Sequence, residues 1–375
     1  MEKLERNFFI YCITNFIWAA VFNLWYNFLP KYYELLGAST IIVGFIFSLE
    51  RISEGISGIF GGHLSDKIGR KKVIIFGSFL GNISLLILYL ATNWIALIPA
   101  IALFWITVGI QSPTISALIN ESVSKKKVAS AFSILSIMSN VPAIFTISLG
   151  GLLIEKIGLL NGIRVSLLIS FIIGMCSTLI YILFLKETLR TPKKIKVKIK
   201  LKITKKIFYF IISYGLLMFS VSSVSPFVIF YCQDVKGIGM FDWGIVKSSF
   251  TTFTLIAILL GGLISDKFGR KIALLSSFIS ILFPFSILLS KNLLHIIIAH
   301  IFASTLVLGS STIPVYVFEK SKSAETIGIV NFCLLIAMVL GSPLGGFLYS
   351  LSPEYPFMIS GLIRIIGFIF GLFLI

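Results

Sequence analysis

The protein has 375 residues, of which 57% are hydrophobic and only 13% carry a charge. This composition excludes a water-soluble globular domain, because soluble domains are about 45–50% apolar and about 25% charged. The 32 Lys and Arg residues outnumber the 15 Asp and Glu residues, which gives a formal net charge of +17 and raises the question of whether the basic residues serve a nucleic acid or a membrane surface.

Twelve predominantly apolar segments follow one another along the chain. Each is about 20 residues long, which is the length that a helix needs to cross a hydrocarbon core of about 30 Å. The sequence therefore predicts an all-α membrane protein with twelve transmembrane helices. These segments lie near residues 8–30, 39–62, 73–92, 95–118, 129–154, 163–185, 207–232, 241–262, 272–290, 293–318, 326–349 and 357–375.

The first segment carries polar and aromatic side chains near its predicted outer end. Asn23 and Asn27 are four residues apart and therefore share one face of a helix. Trp25 and Tyr26 fit either an aromatic lining inside the protein or a belt at the membrane interface, and their position near the end of the segment favours the belt.

The second segment contains charged residues close to the predicted midplane of the bilayer. Glu50 and Glu54 are four residues apart and share one helical face, while Arg51 lies about 100° around the helix from Glu50. Charged side chains at that depth cost at least about 2.5–3.5 kcal/mol each, so they are expected to face protein or a water-filled cavity and to carry function. The corresponding positions 200 residues later are uncharged, which favours a role in substrate or proton binding.

We therefore predict that Glu50 or Glu54 takes up and releases a proton, with burial and Arg51 adjusting its affinity for that proton. A proton gradient would then drive the protein, and no cofactor is expected. The alternative is a structural ion-pair network, in which Arg51 and one or both glutamates bridge helix 2 to a neighbouring helix.

Basic residues are concentrated before the first segment and in every second loop after it, where 24 of the 32 Lys and Arg residues lie. Because cytoplasmic loops carry an excess of Lys and Arg, this distribution predicts an integral protein of the cell membrane with both termini in the cytoplasm. It also explains the net charge through contact with membrane lipids, without a nucleic acid. The longest basic stretch includes residues 193–203, where Lys alternates with apolar residues in a pattern that suits the anionic leaflet.

An internal repeat divides the chain into two halves. Residues 61–71 read GGHLSDKIGRK and residues 261–271 read GGLISDKFGRK, so that eight of eleven positions are identical at an offset of 200. Transporter folds are commonly built from such repeats, with the substrate site between them. We therefore predict two six-helix bundles, at residues 1–185 and 207–375, joined by a basic cytoplasmic linker at residues 186–206.

Both copies resemble the signature loop of the major facilitator superfamily, which lies between helices 2 and 3 of each half. The resemblance implies the major facilitator fold over the whole chain and a secondary active transporter that moves a small solute by alternating access. It also implies that the loop aspartates meet the N-terminal end of a helix of the other half and latch the cytoplasmic side; the alternative is a basic turn that only sets orientation. The residues that carry the resemblance are Gly62, Asp66, Gly69, Arg70 and Lys71, and again Gly262, Asp266, Gly269, Arg270 and Lys271.

In the superfamily, helices 1, 4, 7 and 10 surround a central cavity. The resemblance therefore implies that several polar and aromatic residues line that cavity, although His300 also fits a satisfied packing residue. Many proton-coupled drug exporters of the superfamily carry an Arg where this chain has Trp105. Lys247 is expected to reach outward from its helix and Arg364 to lie at the periphery of the fold. The implied cavity residues are Asn23, Asn27, Trp105, Gln111 and His300.

The sequence contains no Walker-type phosphate loop, no His-Glu-x-x-His helix and no Gly-x-Ser-x-Gly elbow, so a transporter is predicted rather than an enzyme. Buried acids and abundant aromatic residues favour a proton-coupled exporter of lipophilic or cationic compounds. The alternatives are an uptake transporter for a sugar or an organic anion, in which Arg51 binds the carboxylate, and a membrane sensor that does not transport. The predicted partners are a small-molecule substrate and membrane lipids, and the protein is expected to be a monomer without a metal.

Overall fold

The computed structural model describes residues 5–125, 127–189 and 203–373, and the regular secondary structure in these ranges is helical. Twelve long helical segments succeed one another in the described ranges, which confirms the predicted all-α membrane fold. They are α1 Glu5–Leu35, α2 Thr40–Ile68, α3 Arg70–Leu90, α4 Trp94–Ser122, α5 Ser130–Ile157, α6 Leu159–Phe184, α7 Lys205–Val235, α8 Met240–Phe268, α9 Arg270–Leu289, α10 Leu293–Ser321, α11 Ala324–Leu351 and α12 Tyr355–Leu372.

Eleven of these helices are long and apolar enough to cross a membrane. The remaining helix, α2, has 29 residues, which at 1.5 Å per residue span about 43 Å and exceed the thickness of the hydrocarbon core. It falls outside the apolar set because Glu50, Arg51 and Glu54 lie together near its middle. The charges that the sequence analysis singled out are thus what distinguishes α2 from the other membrane helices.

Prolines accompany breaks in several helices of the described ranges. In α1, a 3₁₀ turn at Tyr26–Phe28 precedes Pro30, and similar breaks occur in α5 at Pro142 and in α7 at Pro226. A proline lacks the N–H donor and its ring clashes with the carbonyl four residues earlier, so the helix cannot continue undisturbed. The break in α1 lies beside the candidate site described below.

The two signature loops are turns of a single residue between consecutive helices. Gly69 joins α2 to α3 with φ +105° and ψ 153°, and Gly269 joins α8 to α9 with φ +93° and ψ 161°. This backbone conformation is essentially restricted to glycine, because a Cβ atom would clash with the adjacent peptide groups. The sequence repeat is therefore also a repeat of backbone geometry.

The helices group into two compact units. Unit N comprises residues 1–38 and 49–196, and unit C comprises residues 39–48 and 197–375. Each unit has its own apolar core. The core of unit N includes Phe8, Ile74, Leu118 and Ile119, and that of unit C includes Phe210, Tyr214, Leu274 and Val330.

The predicted linker, residues 186–206, is described only in part. Residues 186–189 and 203–206 are described, whereas residues 190–202, with nearly all of the alternating Lys stretch, lie outside the described residues. The amphipathic linker and the domain boundaries at residues 185 and 207 stay predictions.

Candidate functional site

Glu50 is a carboxylate enclosed within unit N. Its exposed fraction is 0%. Tyr26 donates a hydrogen bond to Glu50 Oε2 at 3.4 Å, and Tyr33 donates to Oε1 at 3.3 Å. Within the described residues, no Lys or Arg forms an ion pair with Glu50. The hydrogen bonds to this carboxylate therefore come from neutral hydroxyl groups, and the charge of Arg51 acts on it without forming an ion pair.

Arg51 pairs with Glu54 and not with Glu50. Its Nη1 lies 3.2 Å from Glu54 Oε2, and both side chains are partly exposed. The guanidinium also lies 5.5 Å from the ring centroid of Trp105 on α4, within the range of a cation–π contact. Residues three apart on a helix are neighbours, whereas consecutive residues point about 100° apart. Arg51 thus forms its ion pair with Glu54, while Glu50 feels the same charge only at a longer distance.

The ring of Tyr26 belongs to an aromatic cluster. The ring centroid of Tyr26 lies 4.7 Å from that of Phe22 and 5.8 Å from that of Trp105. Trp25 has an exposed fraction of 1% and donates its Nε1–H to Ser170 Oγ on α6 at 2.9 Å. The predicted interfacial belt at Trp25 and Tyr26 is therefore wrong, because both polar groups find partners inside unit N instead of at the headgroups.

Asn23 and Asn27 share one face of α1. Asn27 Nδ2 donates to Asn23 Oδ1 at 3.3 Å, and Asn23 Nδ2 donates to the carbonyl of Ala19 at 2.8 Å. Both side chains are half-buried. The two amides therefore support each other on the helix that also carries Tyr26, and their role in solute binding stays a prediction.

A cavity of about 410 Å³ lies within unit N between α1, α3, α4, α5 and α6. Gln111 lines it, together with Asn15, whose Nδ2 donates to Ser139 Oγ on α5 at 2.7 Å. Trp18 and Tyr181 contribute aromatic surface. None of the described lining residues is charged, so the cavity combines amide and hydroxyl groups with rings, as suits an uncharged or amphipathic compound.

Arg364 lies inside unit C, so the predicted peripheral position is wrong; Lys247 is half-buried, and its outward reach stays a prediction. Arg364 has an exposed fraction of 3%, and it donates from Nε to Ser220 Oγ at 3.1 Å and from Nη1 to the carbonyl of Ser280 at 2.6 Å. Lys247 Nζ lies 4.8 Å from the ring centroid of Phe250. Because α8 and α12 are apolar almost all round, their sequences do not show which face meets protein and which meets lipid.

His300 faces the same interior region of unit C. Its exposed fraction is 3%, and its Nδ1 lies 2.8 Å from the carbonyl oxygen of Ile296. A carbonyl oxygen only accepts, so Nδ1 carries a proton. The rings of Trp243, Phe250 and Phe283 contact the imidazole edge to face at centroid distances of 6.0, 5.9 and 5.3 Å. His300 is thus packed between rings at the wall of a cavity.

Arg70 connects the charged groups around the first signature loop. Its Nη2 lies 2.6 Å from Asp66 Oδ1 and 3.2 Å from Glu121 Oε1 at the end of α4. The carboxylate of Glu187 accepts the backbone N–H groups of Arg70 at 2.8 Å and Lys71 at 3.1 Å. Glu187 therefore caps the N-terminus of α3, where the helix dipole favours a negative charge.

Arg270 makes equivalent but looser contacts at the second loop. It lies 3.4 Å from Asp266 and 3.4 Å from Glu319, and the side chain of Asp266 is 81% exposed where that of Asp66 is 18% exposed. Asp66 is thus engaged within its own unit. The predicted latch between each aspartate and a helix of the other half stays a prediction.

The remaining signature residues flank these ion pairs. Gly62 and Gly262 lie in the last two turns of α2 and α8, and Lys71 and Lys271 lie in the first turns of α3 and α9. Lys71 Nζ donates to the carbonyl of Ile182 at 2.8 Å. This bond ties the start of α3 to the end of α6.

Tyr33 is the site residue that sequence reasoning missed. It is fully buried, and it is one of the two hydroxyl donors to Glu50. The sequence signal that could have found Tyr33 is its spacing from Tyr26. The two residues are seven positions apart, which is about two helical turns, so they lie on the same face of a helix. The proline between them concealed this relation, because a helix was not expected to resume after Pro30.

The fold consists of membrane-spanning helices in two repeated halves, and a buried carboxylate and buried cations lie among these helices. This combination defines an integral membrane transporter rather than an enzyme. The particular family follows from a direct match. The model of the Major Facilitator Superfamily matches residues 8–293 and again residues 211–375. The chain therefore belongs to the Major Facilitator Superfamily.

Relatives and solved structures agree with this assignment. A protein named multi-drug resistance efflux pump PmrA homolog, from Lactococcus lactis, is 27% identical over 307 residues, which are 76% of this chain and 72% of that protein. Multidrug resistance protein 2 of Bacillus subtilis is 21% identical over 380 residues, which are 97% of this chain and 94% of that protein. A mutant of the nucleoside transporter NupG superposes with a TM-score of 0.79 at 13% identity, over 98% of this chain and 99% of that one, and so shares the fold.

Proposed function

We propose that this transporter is a proton-coupled exporter of lipophilic compounds in the cell membrane, with both termini in the cytoplasm, and that Glu50 carries the proton. The observation that supports this proposal best is the environment of Glu50, which is fully buried, accepts hydrogen bonds from two tyrosine hydroxyls and forms no ion pair within the described residues. The efflux-pump names of the relatives support the direction and the substrate class.

The surroundings of Glu50 make its charged and neutral forms close in free energy. A charge at the centre of a membrane helix costs at least about 2.5–3.5 kcal/mol, whereas each hydrogen bond to a charged group returns about 1.5–3 kcal/mol. The two opposing contributions are of the same order. A small rearrangement of Tyr26 or Tyr33 therefore tips Glu50 between binding and releasing a proton.

In the proposed cycle, Glu50 accepts one proton from the outer side and releases it to the cytoplasm while the solute moves outward. Protonation removes the negative charge to which Tyr26 and Tyr33 donate, so it weakens both hydrogen bonds. Because both tyrosines belong to α1 and flank Pro30, the change is passed to a helix that is already interrupted. Proton binding is thereby linked to the conformation of α1.

Of the lipophilic and cationic classes that the sequence favoured, the contacts support the lipophilic class better. Aromatic side chains surround Tyr26 and line the cavity of unit N. A cationic compound would meet Lys247 and Arg364 inside unit C, which carry the same sign of charge.

Transport of an organic anion is the second candidate, and a specific observation favours it. The sequence assigned anion binding to Arg51, but Arg51 is paired with Glu54. Lys247 and Arg364 instead supply positive charge that no acid among the described residues balances.

The test is transport in proteoliposomes with and without an imposed pH gradient, using a panel of lipophilic dyes and drugs. Wild-type protein is expected to accumulate a subset of them only when the gradient is present. Glu50→Gln is expected to abolish this dependence, because glutamine cannot exchange a proton. Glu34→Gln is the matched control, since Glu34 is an exposed residue of α1 that pairs with Lys31. Unchanged gradient-dependent transport by Glu50→Gln would refute the assignment of the proton to this residue.

A further inference from the structure

Unit C contains a second group of charged and titratable residues around a cavity, which the proton-coupling proposal does not use; Arg364 and His300 are buried and Lys247 is half-buried. A cavity of about 90 Å³ is lined by Lys247, His300 and Arg364, together with the rings of Trp243 and Phe283. These residues belong to α8, α9, α10 and α12. We call this space the basic cavity.

The positive charges of the basic cavity lack acidic partners. No Asp or Glu is among its lining residues, and no ion pair of the described chain includes Lys247 or Arg364. Within the part of the chain that the structure describes, the hydrogen bonds of Arg364 go to neutral oxygens, the hydroxyl of Ser220 and the carbonyl of Ser280. A buried charge without a counter-ion is costly, so an anion that entered the cavity would recover part of that cost.

Donor groups remain available to such an anion. Lys247 Nζ makes no hydrogen bond within the described residues and lies only against the rings of Trp243 at 5.7 Å and Phe250 at 4.8 Å. The Nε and Nη1 bonds fix the plane of the Arg364 guanidinium and leave Nη2 without a hydrogen bond in the same part of the chain. A fixed guanidinium plane and an ammonium without a hydrogen bond in the described residues together suit the oxygens of a carboxylate or a phosphate.

His300 acts as a wall of the cavity and not as a third donor. Its Nδ1–H is used by the carbonyl of Ile296, so in the neutral imidazole Nε2 is an acceptor. The rings of Trp243 and Phe283 stand around it and offer apolar surface beside the two cations. The cavity therefore matches a small anionic group attached to an apolar or aromatic body.

From this arrangement we infer that the basic cavity is a binding subsite for an anionic group, a carboxylate or a phosphate, with Lys247 and Arg364 as its donors. The inference rests on the proposed transport function, because that function supplies the ligand. The ligand is either the transported compound or a free anion. It assigns to unit C the role of selecting amphipathic acids among lipophilic compounds.

The experiment is isothermal titration of the full-length protein in detergent micelles with benzoate, with its uncharged isostere benzamide, and with inorganic phosphate. Benzoate is expected to bind at least about 10-fold more tightly than benzamide, because only benzoate offers charge-assisted hydrogen bonds. Binding of phosphate at comparable affinity would identify a free anion as the ligand, and binding of benzoate alone would identify an amphipathic acid.

Two variants assign the binding to the cavity. Lys247→Met removes one cation while preserving the length of the side chain, and it is expected to weaken benzoate at least about 10-fold. Lys291→Met is the control, because Lys291 lies exposed between α9 and α10. Thermal unfolding of both variants checks that they fold, and Lys247→Met is expected to fold because it removes a half-buried charge that forms no ion pair within the described residues.

The inference is overturned if benzoate and benzamide bind wild type equally, if neither benzoate nor phosphate binds, or if Lys247→Met binds benzoate as wild type does. Failure of benzoate binding in a protein that still shows gradient-driven transport would reject the anion subsite alone. Retained binding in a protein without gradient-driven transport would count against the proposed function alone.

Discussion

Replacement of Gly69 and of Gly269 by alanine is expected to destabilise the protein to different extents, although the two glycines have nearly the same backbone conformation. Both have positive φ and extended ψ, a conformation that costs other residues about 1–3 kcal/mol. The difference lies in the surroundings. A Cβ atom at Gly69 would overlap the carboxylate of Glu187, whereas a Cβ atom at Gly269 would meet no atom within 4 Å.

The extra cost at Gly69 follows from the role of Glu187 as a helix cap. Displacement of its carboxylate would break the hydrogen bonds from the backbone N–H groups of Arg70 and Lys71. Loss of a helix cap typically costs about 0.5–2 kcal/mol. Gly69→Ala is therefore expected to lose about 0.5–2 kcal/mol more than Gly269→Ala.

Thermal unfolding in detergent micelles, followed by circular dichroism, measures this difference. At about 2 °C per kcal/mol for a chain of this length, Gly69→Ala is expected to melt roughly 1–4 °C below Gly269→Ala. In a Glu187→Ala background the cap is already absent, so the further effect of Gly69→Ala should shrink to that of Gly269→Ala. Equal losses for the two alanine variants in the otherwise unchanged protein would refute this reasoning.

Three further predictions concern the site and the topology. Tyr26→Phe and Tyr33→Phe are each expected to slow gradient-driven transport several-fold while the protein still folds, as measured by dye flux and by thermal unfolding; unchanged flux in the double variant would contradict the role of these hydroxyls. Arg51→Gln leaves Glu54 without its cation and is expected to reduce flux more than Arg51→Lys, which retains the charge; equal flux in both variants would show that the pair is dispensable. Lys127→Cys should react with a membrane-impermeant maleimide only from the cytoplasmic side and Lys291→Cys only from the outside; the opposite pattern would invert the predicted orientation.

The fold was accessible from sequence because its determinants are local. Each membrane helix is visible as an apolar run, and the eleven-residue repeat at 61–71 and 261–271 marks the two halves. Burial of Glu50 followed from its depth in α2, since a charge there must avoid lipid. These inferences need only the length, composition and order of the segments.

The partners within the site depend on contacts between helices, which the sequence does not encode locally. Helical spacing placed Glu50 and Glu54 on one face but could not decide which of them Arg51 would join. Trp25 was assigned to the interface because no sequence signal indicates that Ser170, on another helix, accepts its N–H. Arg364 was placed at the periphery for the same reason, because its partners come from α7 and α9.

The central claim is that solute export and proton entry are one coupled process through Glu50. The most direct measurement loads proteoliposomes with a pH-sensitive dye and a lipophilic substrate and follows the internal pH as the substrate leaves. The account predicts that wild-type protein acidifies the lumen in proportion to the substrate exported, and that Glu50→Gln exports without acidification or does not export at all. Export by wild-type protein with no change in internal pH, or equal acidification by Glu50→Gln, would contradict it.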